Sequence, residues 1–407
     1  MIYLLVNWLK TELHWKIPSF ITYTSTRMGL ALITALLISI LVGPLFIRIL
    51  KRLKLGQTIR KEECPKLGEL HSKKEDTPTM GGILILFAMV ISLFLWMDLK
   101  SPFTLLLFIT TAVLGIAGGY DDFLKLKYKN TKGLTPRKKL IVQVGLALFV
   151  ASYLYIPAVS EAIHVRSWFP PPVAKEQVSF KVSEQTFVQD QTLTLKEYAS
   201  QLYFPFMKTP IWVYSGLALL FGFLFTAFVV TGASNAVNLT DGLDGLAAGC
   251  LIMAASCFAL IAFVSNNVDI ARYLHILYIE GSGEIAIYLS AMVGACLGFL
   301  WYNAHPAELF MGDIGSLTLG AVIGVTAVLL RREFLLGIIG GIFVLEALSV
   351  VLQVLSFRLR DKKRIFLCAP IHHHFEYKGW PETKVVVRFW ILSFLFAIIG
   401  VLSLKIQ

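Results

Sequence analysis

Apolar residues in this chain come in long unbroken runs. Neither strict alternation nor a narrow 3.6-residue stripe holds over most of its length, and runs of about 18 residues or more are what a bilayer-crossing helix requires. Ten such segments are expected, at 28–48, 79–97, 102–120, 139–157, 211–231, 242–264, 284–301, 314–330, 334–356 and 386–404. A buried α/β core is the alternative, and it fails because too many runs exceed strand length. The fold class is therefore all-α and polytopic: a membrane protein of about ten transmembrane helices, with residues 1–407 forming one integral membrane domain. Residues 1–27 are apolar but carry Trp8 and Trp15, so they read as an interfacial element. The stretch WLKTELHWK within them does not fit a cleavable signal peptide.

Polar segments between the runs set an orientation. Loops 48–78, 121–138 and 357–385 carry nine, six and seven Lys/Arg, whereas 98–101 and 265–283 carry one each. Positive residues stay on the cytoplasmic side, and ten alternating spans put all three basic loops there together with both termini on the outer, periplasmic side. Arg331 and Arg332 fall in a short outward turn and run against the rule. The long segment 158–210 becomes an extended extracytoplasmic loop, in which the alternation of Val178, Phe180 and Val182 predicts a small β-hairpin.

Composition agrees with a membrane protein. Apolar residues make up 56% of the chain and DEKR only 15%, so the net charge of +11 belongs to clustered loop residues and not to a nucleic-acid surface. Cys64, Cys250, Cys257, Cys296 and Cys368 show no metal spacing and no disulfide pattern.

The inward-facing segments collect the chemistry: HSKKEDTPTMGG at 71–82, GGYDDFLKLKYKNTKG at 118–133, NAVNLTDGLDGL at 235–246, WYNAHPAELFMGDIGS at 301–316 and CAPIHHHFEYKG at 368–379. Asp121 and Asp122 follow a span directly. Two adjacent carboxylates repel unless a cation or proton lies between them, and a helix C-terminus is the wrong end of the dipole for acids. A polar stop balanced by Lys125 and Lys127 is the plainer alternative. Asp241 and Asp244 are expected at the start of a span, three residues apart on one helix face, where they either cap the helix or meet a ligand. Asn235 and Asn238 add amides suited to a base, ribose or pyrophosphate. Asp313, between Gly312 and Gly315, is a frame for a divalent cation carrying phosphate oxygens.

His372, His373 and His374 cannot all point the same way, so the run is not a three-histidine zinc site and fits phosphate contact or proton handling. Lys73 or Lys74 would contact phosphate. Glu346 is a charge inside a span, either functional or paired across the bundle. Together these groups describe phosphate chemistry at a membrane surface, with Mg²⁺, a soluble phosphorylated donor and a lipid acceptor. A secondary transporter is the alternative from another class, but it would place its carboxylates near the midplane on paired broken helices.

TPTMGG (77–82), GGYDDF (118–123), NAVNLTDGLDGLA (235–247), FMGDIGSL (310–317) and PIHHHFE (370–376) resemble the signature segments of the MraY family, phospho-N-acetylmuramoyl-pentapeptide transferases of the polyprenyl-phosphate N-acetylhexosamine 1-phosphate transferase superfamily. PIHHHFE favours the muramoyl branch over the related GlcNAc-1-phosphate transferases. The resemblance implies Mg²⁺-dependent transfer of phospho-MurNAc-pentapeptide from UDP-MurNAc-pentapeptide to undecaprenyl phosphate, giving lipid I and UMP, in the bacterial cytoplasmic (inner) membrane. It implies catalytic roles for Asp121, Asp122, Asp313 and His372–His374, with Asp313 as the metal ligand and Asp122 as a second candidate. Asp121 would deprotonate or orient the acceptor phosphate. Lys74, Asn238, Asp241, Gly242, Asp244, Asn303 and Phe310 would bind the donor nucleotide, with uracil stacked on Phe310. Two departures stand out: Asp76 where the family commonly has glycine, and the length of loop 158–210, for which a partner or homodimer role is expected.

Overall fold

The structure is a computed structural model, and it describes residues 1–16, 18–52, 77–128, 133–182 and 185–406. Helices dominate it: α1 (Ile2–Thr11), α2 (Thr24–Arg52), α3 (Gly82–Trp96), α4 (Pro102–Lys127), α5 (Pro136–Tyr155) and α6 (Pro157–Ile163) precede a small β region. That region is β1 (Ala174–Val182), β2 (Gln185–Leu193), α7 (Leu195–Ala199), β3 (Gln201–Leu202) and β4 (Trp212–Val213). Then come α8 (Leu219–Thr240), α9 (Leu246–Ser265), α10 (Val268–Leu274), β5 (Tyr278–Ile279), α11 (Gly283–Asn303), α12 (Gly312–Leu329), α13 (Glu333–Ile339), α14 (Gly341–Leu359), α15 (Ile371–Tyr377) and α16 (Glu382–Leu402). Among the described residues nine helices are long and apolar enough to cross a membrane, and α3, with 15 residues, is shorter. The protein is a helical, multi-pass membrane protein.

Helix α12 is the axis of the bundle. Every residue from Ile314 to Leu329 is buried, and α4, α8 and α3 pack around it. Small residues make that possible, because helices in lipid gain from close backbone approach. A Cβ on Gly82 would lie 2.3 Å from the Gly315 nitrogen, and one on Gly118 would lie 2.6 Å from the Asp313 carbonyl oxygen. These contacts join α3, α4 and the first turn of α12.

Three expected spans are corrected. Helix α4 does not stop before the acidic pair but runs on through Asp121 and Asp122 to Lys127, where basic residues suit its C-terminus. The span expected at 211–231 lies at 219–240, since the aromatic stretch before it pairs as β3 and β4 instead. The span expected at 334–356 is two helices broken at Gly340.

Between α6 and α7 the chain forms a hairpin, with Ala174 opposite Leu193 and Val182 opposite Gln185, and β5 joins β1 on its other edge. Arg331 and Arg332, anomalous by charge, are buried against this region. Arg331 pairs with Glu333 at 2.6 Å and donates from Nε to the Gln201 carbonyl oxygen, and Arg332 lies over the Tyr203 ring. They serve as internal ties and are not exposed loop charges.

Candidate active site

The site forms where α4, α5, α8 and α12 end near one another. Asp121 and Asp122 are buried in the last turns of α4, and Asp313 stands in the first turn of α12. One ligand oxygen from each of the three carboxylates lies within 4.8 Å of the others. This cluster has a built-in order. Asp122 accepts the N–H groups of Asp313 (3.2 Å) and Ile314 (3.1 Å), so it caps α12 from a neighbouring helix. A carboxylate at that position meets orphan donors and the positive end of the dipole. Gly312, with φ +75°, makes the approach possible: a Cβ there would lie 2.5 Å from Asp122 Oδ2.

Two lysines balance the charge. Lys125 Nζ is 2.7 Å from Asp121, 3.0 Å from Asp313 and 3.6 Å from Asp122, and Lys139 of α5 bridges Asp121 and Asp313. Asp121 is fully engaged, since its other oxygen accepts the Leu134 N–H at 2.6 Å. Asp313 Oδ1 accepts from Asn238 Nδ2 at 2.9 Å, and the same amide reaches Ser316. Asp313 is therefore held from three sides with one carboxylate edge on cations. Sequence reasoning read Lys125 only as a counter-charge and missed Lys139. The four-residue step from Asp121 to Lys125 was a legible signal, whereas Lys139 was hidden in an ordinary basic helix start.

The second acidic pair is placed differently from the expectation. Asp241 and Asp244 do not share a helix face, because α8 ends at Thr240 and α9 begins only at Leu246. Asp241 caps α8 beside the main cluster. Burial, then the charges of Asp313 and Asp122, push its carboxyl up to about 7, against the pull of the Gly312 N–H and Lys125. Asp244 instead accepts the Ala307 N–H at 3.1 Å and faces His305 at 3.0 Å, with Glu382 adjoining. Asn303 spends its amide on the Gly245 N–H and the Leu309 carbonyl. These two residues tie the 241–245 turn to the loop before α12. Phe310 sits in that loop, its backbone paired with Pro78 and Gly81. Lys74, together with Lys73 and Asp76, lies outside the described residues.

The three histidines part company. His372 is fully buried, its Nδ1 3.1 Å from Glu346, and its Nε2 edge faces Gly242, where a Cβ would come within 2.4 Å. His373 pairs with Glu376 at 2.6 Å, and His374 Nδ1 accepts the Leu367 N–H. Burial and Lys378 hold the His374 imidazole below its ordinary range. The structure thus brings together Asp121, Asp122, Asp313, Asn238, Asp241, Gly242 and His372. It sets Asp244 in the turn before α9, Asn303 at the end of α11, and His373 and His374 on α15, each engaged with other partners.

Buried carboxylates, two lysines and amide groups converging at helix ends can hold and neutralise phosphate-bearing molecules. The sequence model of glycosyl transferase family 4 matches residues 104–331, and that of phospho-N-acetylmuramoyl-pentapeptide-transferase signature 1 matches residues 74–86. A phospho-N-acetylmuramoyl-pentapeptide-transferase of Protochlamydia amoebophila (strain UWE25) is 64% identical over 410 residues, spanning 100% of both chains. Proteins of the same name from Desulfotalea psychrophila and Brachyspira hyodysenteriae are each 44% identical over 385 residues and 95% of this chain, covering 94% and 95% of their own.

Proposed function

This chain belongs to the phospho-N-acetylmuramoyl-pentapeptide-transferase family, and from that premise we propose that the Asp121–Asp122–Asp313 cluster is its catalytic centre. The enzyme transfers phospho-MurNAc-pentapeptide from UDP-MurNAc-pentapeptide to undecaprenyl phosphate, yielding lipid I and UMP, as a multi-pass protein of the bacterial inner membrane. An oxygen of the lipid phosphate forms a bond to the sugar-bearing phosphorus of the donor, and the bond from that phosphorus to UMP breaks.

Charge neutralisation is the main task for the protein. Lys125 and Lys139 hold two positive charges over Asp121 and Asp313, where the donor diphosphate needs them. Asp121 orders the two ammonium groups, and Asp122 fixes the first turn of α12 so that Asp313 stays in register. The carboxylate oxygens are hard donors that fit Mg²⁺, with Asp313 as its main ligand, since Asp122 already spends both oxygens on backbone N–H groups. Bound there, Mg²⁺ supplies Lewis-acid stabilisation of the phosphoryl oxygens. Asn238 restrains Asp313, and Asp241, Gly242 and Phe310 serve the donor side.

The distribution of basic residues supports a cytoplasmic position for this face, where a UDP-linked donor resides, with both termini and the 158–210 segment outside. The whole chain is one transferase domain. The observation that carries the reading is the convergence of three carboxylates and two lysines at one end of the bundle. Release of UMP from UDP-MurNAc-pentapeptide and undecaprenyl phosphate by purified protein, with and without Mg²⁺, tests it. Asp313→Asn should lower turnover at least about 10²-fold. Near-normal turnover by that variant would remove Asp313 from the centre, and equal use of UDP-GlcNAc would favour the GlcNAc-1-phosphate branch.

A further inference from the structure

We propose that Glu346 is a positioning residue for the transfer reaction: it fixes the ring of His372 so that Nε2, and not Nδ1, faces the phosphate-bearing end of the donor. This rests on the transfer reading of the site and adds to it a division of labour within the triple histidine.

Glu346 lies in the second turn of α14, with no exposed surface. Its ion-pair partner among the described residues is His372 Nδ1, 3.1 Å away on α15. A carboxylate buried inside a membrane bundle is retained only with compensation, and here the compensation comes from a ring at the site. Pairing Nδ1 leaves Nε2 as the remaining polar atom of His372. Nε2 is buried and lies against Gly242, which has no side chain to block it; neither ring nitrogen makes a hydrogen bond, so Glu346 orients the ring as a charge partner 3.1 Å from Nδ1. Gly242 follows Asp241, whose carboxyl senses Asp313 and Asp122. An unpartnered buried ring nitrogen, aimed at a glycine beside the carboxylate cluster, is placed to meet a phosphate group when the donor is bound.

The neighbouring rings differ. His373 engages Glu376, and His374 accepts a backbone N–H while its ring packs against Phe366 and Phe375. Which nitrogen of an imidazole meets a ligand is set by what the other nitrogen bonds. Glu346 makes that choice for His372 from inside the bundle.

A merely structural pair would tie α14 to α15 and leave the rate untouched. The test uses full-length purified enzyme with Mg²⁺ and compares wild type, E346L, H372N and the E346L/H372N double variant by UMP release and thermal midpoint. Leucine is chosen because it removes the carboxylate and leaves an imidazole that can shed its charge, unlike the carboxylate that loss of His372 would strand. E346L is expected to lower kcat about 10²-fold while the donor KM stays within about threefold. The double variant should lose no more than H372N alone, since both changes act through one ring. E346Q, of the same shape, should recover part of the rate because its amide oxygen can accept the Nδ1–H. If E346L does not fold, E346Q alone and combined with H372N carries the same comparison. Wild-type kcat in a glutamate variant overturns the proposal, as do losses that multiply in the double variant. Failure of wild-type protein to release UMP would sink the transfer reading itself, whereas an active wild type with an equally active E346L sinks only this inference.

Discussion

Asp122 spends both oxygens on the backbone of another helix, and this makes Gly312 as important as the carboxylates. Gly312→Ala would put a Cβ 2.5 Å from Asp122 Oδ2 at φ +75°, where an L side chain costs about 1–2 kcal/mol before the clash is counted. The expected outcome is a fall of at least about tenfold in UMP release and a lower thermal midpoint, both measured in detergent. Asp241 gives a pH test. Its folded pKa, about 7, lies above the ordinary 3.8, so the folded state holds a proton that the unfolded chain has lost. That contribution to stability is complete below about pH 4 and disappears as pH rises through about 7. In EDTA, Asp241→Asn should therefore gain thermal midpoint over wild type as pH rises from about 5 to about 8. A gap that stays constant across that range would count against a proton-holding Asp241.

At the scale of elements, the acidic pair owes its place to α4 running past the expected end of its span, which carries Asp121, Asp122 and Lys125 on one rigid helix. Glycines then set the distance to α12. Gly118→Ala would push a Cβ to 2.6 Å from the Asp313 carbonyl, a backbone atom that cannot swing aside. It should cost about 1–3 kcal/mol of stability and reduce turnover more than a comparable change at Gly145, which has open space around it. Thermal denaturation and UMP release on the two variants check this. The long apolar run at 334–356 looked like one helix because hydropathy records apolar character and not continuity. The break at Gly340 is decided by how α13 and α14 pack against α16 and α8, and it lets Glu346 reach α15.

For the whole molecule, the distribution of Lys and Arg among the loops predicts the orientation in the membrane. In a background with Cys64 and Cys368 changed to serine, a cysteine introduced at Lys196 should react with a membrane-impermeant thiol reagent in intact cells. One introduced at Lys378 should react only after permeabilisation. The reverse pattern would invert the topology and overturn the cytoplasmic assignment of the site. Arg331, apparently in breach of the charge rule, is buried with Glu333 against the 195–214 region. Arg331→Ala should cost about 3–5 kcal/mol by stranding a buried carboxylate. Its thermal midpoint should fall further than that of a change at exposed Arg358.

The sequence by itself determined the membrane class, the approximate spans, the family resemblance and the acidic centre, because span length, loop charge and the short segments around Asp121, Asp122 and Asp313 are local properties. It also misplaced Asp241 and Asp244 on one helix face, since an apolar run does not reveal where a glycine turn ends it. Only the tertiary structure decided that Asp122 caps α12, that Lys139 joins Asp121 and Asp313, and that Glu346 meets His372. Each of these depends on which helix ends are packed together: Asp122 and Asp313 stand 191 positions apart, Lys139 stands 18 from Asp121 and 174 from Asp313, and Glu346 and His372 lie on different helices, in no pattern that local spacing records.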